Sequence, residues 1–357
     1  MGNKLANEPA TGGKWKKVVL TVGAVVLAVV LLGVFIHRAG NLTKLAATLK
    51  SAVDRPAYLI SGIALFSVSL MCGMTRWYVL LRTLKLPISY LDALRLYATG
   101  HFFNVIGPGA TGGDFVKAAW IAVKCPGRRT AAITSIAAER LIGLIAMVVF
   151  VTTISLFRRD FFDHSRMLTA FRTCIYFACA GAITVVLLLT VIDWGRVARK
   201  LHPTPGGLAE KILTTLLNIW ETFRVCLTHP LATAATFALS FTNHITDVCC
   251  YFLLSRAISM TLPLQDLLVI SPIANTVAAI PLTPGGAGVR ENTLQFMMDV
   301  VNVPRTESTA LGILMFGTII FWAIIAGIIM ATGLKTRKML PPSKPETTPK
   351  GESPIPL

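Results

Sequence analysis

Charged residues are scarce in this chain. They make up 14% of its 357 residues, while 54% are hydrophobic. Soluble domains carry roughly 25% charged residues, so an ordinary water-soluble globular protein is excluded. The shortage is also one-sided, with 17 Asp and Glu against 34 Lys and Arg. The resulting net charge of +17 lies between apolar runs and in both tails rather than along one stripe, which argues against nucleic acid and for anionic lipid headgroups. Seven cysteines include no CxxC pair and no secreted-domain spacing, and read as small hydrophobes. HExxH, GxSxG and Walker sequences are absent. Hydrolase and nucleotide-driven chemistry therefore lack a motif, and no ligand cluster recommends a metal or a cofactor.

What the chain does have is long apolar runs. Val18 to Ile36 is free of charge for 19 residues, close to the roughly 20 needed to cross a bilayer as helix. The sequence after it offers no small-residue cleavage site, so it reads as a retained first helix. Ala57–Thr75, Ala131–Phe157, Thr173–Ile192, Leu231–Leu254 and Ser308–Leu334 bring the expected spans to six. The expectation is an all-α integral membrane protein of the cell membrane. Its membrane domain covers 18–334, between disordered cytoplasmic tails at 1–17 and 335–357. Leu42–Val53, apolar at helical spacing with Lys44 and Lys50, suits a helix lying in the interface. Gly207–Leu227 is expected as another such helix or a short cytoplasmic one.

Two weaker segments differ from the spans. Leu91–Gly107 contains Asp92, Arg95, His101 and Asn104, and Leu262–Pro281 contains Pro263, Asp266, Pro272, Asn275 and Pro281. Each runs into a Gly/Pro-rich loop, GPGATGGD at 107–114 and PLTPGGAGVRE at 281–291. Broken backbone at membrane depth is tolerated only where protein or a water-filled cavity satisfies it. Re-entrant hairpins meet that condition. With both segments re-entrant, 22 Lys and Arg fall on the side of the termini and 11 on the other, against 17 and 15 if both cross. The positive-inside rule thus favours re-entry, with both termini cytoplasmic. The loops then enter from opposite sides, as in an inverted repeat whose broken helices form a substrate site near the midplane.

The loops carry the candidate binding residues. Gly112, Gly113 and neighbouring glycines precede Asp114 at a helix start, with Lys117 one turn further on. Two readings stand: a backbone cradle for an anionic headgroup, or a tight turn with Asp114 as helix cap. In the second loop Gly285, Gly286 and Gly288 precede Arg290 and Glu291, which either grip a phosphate or neutralise each other. Arg76, Glu139, Arg140, Asn243, His244, Asp247 and Asn275 are polar within or beside apolar stretches and are expected to face the bundle interior. His244 and Asp247 share a helix face, where a proton relay competes with plain interhelical hydrogen bonding.

The set RW at Arg76–Trp77, GHFFNVIGPGATGGDFVK, AAERLIGL and IPLTPGGAGVREN resembles, in order and spacing, the lysylphosphatidylglycerol synthase transmembrane family. The resemblance runs from Val18 to Leu334. It implies a helical bundle that moves an aminoacylated or glycosylated lipid between leaflets, or assists an enzyme that makes one. Carried over by motif are Asn104, Pro108, Gly109, Gly112, Gly113, Asp114, Glu139, Arg140, Pro284, Gly285, Gly286, Gly288, Arg290 and Glu291. Lys117 departs from the Arg expected there, which keeps the charge but loses the bidentate fork. No soluble synthase domain follows, so synthesis of a lysyl-lipid by this chain alone is not expected. The expectation is thus a flippase-like transporter of a phospholipid or glycolipid. Its rival is a membrane enzyme, or an accessory subunit of a lipid-modifying enzyme.

Overall fold

The computed structural model describes residues 12–106, 112–163, 166–196, 207–280 and 282–335, and every regular element among them is helical. Pro108, Gly109 and Pro281 lie outside the described residues, as do 1–11 and 336–357. Helix α1 (Gly12–His37) begins six residues ahead of Val18. Its Val25–His37 part meets α2 (Leu42–Val53) at 95°, so α2 lies flat when α1 crosses. Asn41 caps α2, its side chain accepting from the Lys44 N–H at 2.9 Å. Helices α3 (Pro56–Thr83), α4 (Tyr90–Ile106), α5 (Gly112–Lys124), α6 (Arg129–Phe157), α7 (Arg159–Phe162) and α8 (Arg166–Val191) follow. The second half comprises α9 (Leu208–Leu227), α10 (Pro230–Ala257), α11 (Leu264–Ala278), α12 (Val289–Val300) and α13 (Arg305–Lys335). Among the described residues α3, α6, α8, α10 and α13 are long and apolar enough to cross a membrane, and the bent α1–α2 pair brings the number to six.

Several helix ends differ from the sequence expectation, the largest shift being at the end of α3. Helix α3 continues past Thr75 to Thr83, because Arg76, which looks like the end of a span, is neutralised inside the bundle by Glu139. The Gly207–Leu227 segment packs on the bundle as α9: Thr222 bonds Thr134 of α6 at 2.7 Å, and the Trp220 indole donates to the Leu189 carbonyl of α8 at 3.0 Å. Helix α8 itself buries Leu168 alone among its residues, so its apolar surface faces outward to lipid.

The core is built from two copies of one plan, 174 residues apart. Pro56–Thr83 recurs as Pro230–Ala257, and the starts of α4 and α11, Tyr90 and Leu264, keep the same offset. Pro stands at the first helical position of both long helices, where its missing N–H costs nothing. The turn after each takes the same left-handed step, at Lys85 (φ 53°) and Ser259 (φ 63°). The two copies run in opposite directions: Gly62, near the start of α3, packs on Leu254 near the end of α10, while Arg76 further along α3 donates to Ser240 nearer the start of α10 at 3.0 Å. This is an inverted repeat.

Each repeat contains a helical hairpin that turns back. In the first, Asp92 at the start of α4 pairs with Lys124 at the end of α5 at 2.7 Å. Toward the tip, a Cβ on Gly113 would stand 1.8 Å from the Gly100 carbonyl oxygen, so two backbones touch there. Near the tip, the Asn104 side chain accepts from the Gly113 N–H at 2.9 Å. Base and tip are both in contact, so both ends of the hairpin lie at the same end of the bundle. Asp266, the counterpart of Asp92, anchors the base of the second hairpin to Arg158 beyond α6 at 2.9 Å. Because α3 and α10 are antiparallel, the two bases lie at opposite ends.

Single cysteines at the exposed, equivalent positions Pro87 and Thr261, on a cysteine-free background, are expected to react with a membrane-impermeant maleimide from opposite sides of sealed vesicles. Labelling of both from one side would refute the opposed hairpins.

Candidate functional site

The hairpin tips meet. Gly285, at the turn before α12, lies so close to α4 that an added Cβ would be 3.4 Å from the Asn104 carbonyl oxygen, and its φ of 58° suits glycine. Around this junction is a cavity of about 510 Å³, within the usual range of roughly 300–1,000 Å³ for small-ligand sites. Helix α4 contributes Tyr97, Gly100, His101 and Asn104, which stand at i, i+3, i+4 and i+7 and therefore form one face. The other walls carry Arg76, Asp114, Lys117, Glu139 and Arg140 on one side, and Asn243, His244, Asp247, Asn275 and Arg290 on the other.

The first wall is an ion-pair network. Arg76 pairs with Glu139, both buried, and also holds Ser240. Gly143, one turn after Glu139, leaves room for the guanidinium: a Cβ there would meet Arg76 Nη2 at 3.1 Å. Lys117 is 3% exposed and sits between the ring faces of Trp77 and Tyr97, 4.7 and 4.9 Å from their centroids. Its ammonium is 3.6 Å from Asp114 Oδ1 and 4.0 Å from Glu139 Oε2. The flanking rings explain how a compact ammonium is held where a wider guanidinium was expected. Arg140 closes the row by donating to Asp114 Oδ2 from Nε at 2.9 Å, and its half-exposed side chain lies at the mouth.

Asp114 is in the first turn of α5, but its carboxylate is engaged by cations rather than by helix N–H groups. The Gly113 N–H is given to Asn104, and the lack of a side chain at Gly113 lets the backbones of α4 and α5 touch. Gly112 opens α5 beside it. In the second loop, Arg290 donates to Glu291 Oε1 from Nε at 3.0 Å and from Nη2 at 2.7 Å, while Glu291 Oε2 accepts from the Gly288 N–H at 2.7 Å. Glu291 is thus a buried helix cap outside the cavity lining. Gly288 lets α1 approach, since a Cβ would stand 2.5 Å from Leu31 Cβ. Pro284 opens the short 3-10 turn, and Gly286 packs on Ala278. Of that loop's candidates, Gly285, Gly286 and Arg290 reach the cavity.

The polar residues of α10 make interhelical bonds. Asn243 accepts from Ser69 Oγ at 2.9 Å and Asp247 accepts from Asn275 Nδ2 at 2.6 Å. His244 stacks on Phe150, 5.6 Å between centroids, rather than bonding Asp247. Tyr97 and Trp77 are site residues that the sequence reading did not single out as such. The signal for Tyr97 was available, because it shares the i, i+3, i+4, i+7 face with Asn104.

Residues 19–327 match the family model of the lysylphosphatidylglycerol synthase TM region. The chain belongs to that family. It is also similar to a UPF0104 membrane protein of Pyrococcus horikoshii, 23% identical over 307 residues that cover 79% of this chain and 88% of the relative. A second UPF0104 membrane protein, from Methanothermobacter thermautotrophicus, is 23% identical over 303 residues, covering 81% and 85%. The family and the apolar helices together identify a multi-pass membrane protein.

Two substitutions test this construction. Gly113→Ala presses a methyl against backbone, and overpacking of this kind costs about 1–3 kcal/mol. Thermal unfolding in detergent should fall measurably, while Gly127→Ala, which meets open space, should leave it unchanged. Glu139→Gln strands a buried guanidinium, with an expected loss of about 3–5 kcal/mol, whereas Arg76→Met combined with Glu139→Leu should recover much of it in the same assay.

Proposed function

We propose that this chain is a lipid transporter of the cytoplasmic membrane that carries a polar, phosphate-bearing headgroup between leaflets through the cavity where the two hairpins meet. The observation that supports it most is that junction: opposed hairpins touching tip to tip around a charged cavity supply a binding place near the midplane and two directions from which to reach it. Four cations line the cavity, namely Arg76, Lys117, Arg140 and Arg290, facing Asp114, Glu139 and Asp247. A headgroup phosphate competes for the cations, and hydroxyl or amino groups of an aminoacylated or glycosylated lipid suit the carboxylates. Arg140 at the mouth makes first contact and Lys117 lies deeper.

The excess of Lys and Arg supports cytoplasmic termini. Setting aside the buried Arg76, Lys117 and Arg290 removes two residues from the richer side and one from the other, so the twofold bias remains. A partner enzyme that loads or consumes the carried lipid fits this reading. An enzymatic role for the chain itself has less support, because the carboxylates of Asp114 and Glu139 are each engaged by cations.

Reconstituted into liposomes, the protein is expected to accelerate exchange of fluorescent or aminoacylated phospholipids between leaflets. Arg140→Ala at the half-exposed mouth should slow it about tenfold, equivalent to roughly 1.4 kcal/mol. Headgroup exposure that stays unchanged by the unsubstituted protein across several lipid classes would count against transport.

A further inference from the structure

A second cavity, of about 100 Å³, adjoins the polar one and is almost wholly apolar. Three helices build it, and each contributes the same spacing. Helix α3 supplies Ser67, Leu70, Met71 and Met74, α4 supplies Leu94, Tyr97, Ala98 and His101, and α13 supplies Trp322, Ile325, Ala326 and Ile329. Every set is i, i+3, i+4, i+7, one continuous stripe over two helical turns. Three parallel stripes define a groove roughly 10 Å long at 1.5 Å per residue.

Tyr97 and His101 line both cavities. The Tyr97 ring packs under the Lys117 ammonium in the polar cavity, and its hydroxyl approaches Gly73, where an added Cβ would be only 2.2 Å away. Tyr97 and His101 therefore form the partition between a charged chamber and an apolar one. The rim of the groove faces outward: Met71 and Val68 on α3, and Phe321, Ile324 and Ile328 on α13, are all more than 40% exposed. In a bilayer that rim borders lipid tails.

Resting on the reading of the polar cavity as a headgroup site, we infer that this groove holds one acyl chain of the same lipid. The shape excludes a polar occupant, and its continuity with the charged chamber across Tyr97 and His101 matches a molecule with a charged end and an apolar chain. A lipid held at both ends need not expose its tail to water while its headgroup is inside. The contact also gives the protein a means of telling a lipid from a free phosphate ester, because only the lipid fills both cavities.

The test uses vesicles of phosphatidylglycerol containing a small fraction of phosphatidylglycerol with a photoactivatable diazirine midway along one acyl chain. Illumination should attach the probe to Met71, Leu94, Ile325 or Ile329, identified by peptide mapping. Arg140→Ala, which removes the cation at the mouth of the charged cavity and frees Asp114 Oδ2, should reduce that labelling about tenfold along with headgroup affinity. Ala98→Trp, which fills the groove, should abolish it, and Ala98→Val serves as the milder version if the Trp variant does not fold. Groove labelling indifferent to Arg140→Ala would identify an ordinary boundary lipid and overturn the inference, as would the absence of any labelling. Labelling that follows both variants in a protein that moves no lipid between leaflets would support the two-ended site while refuting transport.

Discussion

The buried contact between Arg76 and Glu139 is what the rest of the bundle is arranged around. Neither charge survives alone against hydrocarbon, so α3 and α6 are held in the one register that joins them. Ser240 brings α10 to the same guanidinium, and Lys117 brings α5 to the same carboxylate. Four helices thus converge on one ion pair. An apolar contact of equal area would permit sliding, whereas a charge pair in low dielectric fixes position. The polar cavity is the space left beside that fixed point.

From this follows the need for glycine in the first hairpin. To place Lys117 within reach of Glu139, α5 must approach α4 more closely than side chains allow, and the Gly100–Gly113 contact removes them from both backbones. Broken helices leave N–H groups to be satisfied. Asn104 takes one in the first hairpin and Glu291 takes one in the second. The two repeats solve the same problem with different residues. This is why they align in helix length and turn position while their loop sequences match only loosely.

Much of the architecture was legible in the sequence because lipid imposes a simple rule on composition. Apolar runs gave the crossings, and the polar, Pro-interrupted segments marked the hairpins. The ends were harder. Arg76 looked like a boundary because its partner stands 63 residues away, and no local pattern announces a neutralising Glu139. Within the site, residue type was a better guide than assigned role. Asp114, Arg290 and the described glycines stand at the tips, but Gly113 and Gly288 pack against backbone and Glu291 caps a helix, which depends on distances that spacing does not encode. The repeat was expected from the opposed loops, but its register was not, because the halves share few residues, Pro56 with Pro230 and Asp92 with Asp266 among them, and otherwise match in geometry, as in the φ of Lys85 and Ser259.

The two hairpins are equivalent in plan but not in support. The second is braced from outside the repeat by α1: Asn292 donates to the Leu31 carbonyl at 2.8 Å, and Gly288 admits Leu31 to the α12 backbone. On α5 of the first, Phe115 and Val123 are exposed on the outer face. Displacing the second hairpin would break backbone contacts with α1. Displacing the first would part Lys117 and Asp114 from Glu139 and Arg140 of α6, so the first hairpin is held by charge where the second is held by close backbone approach.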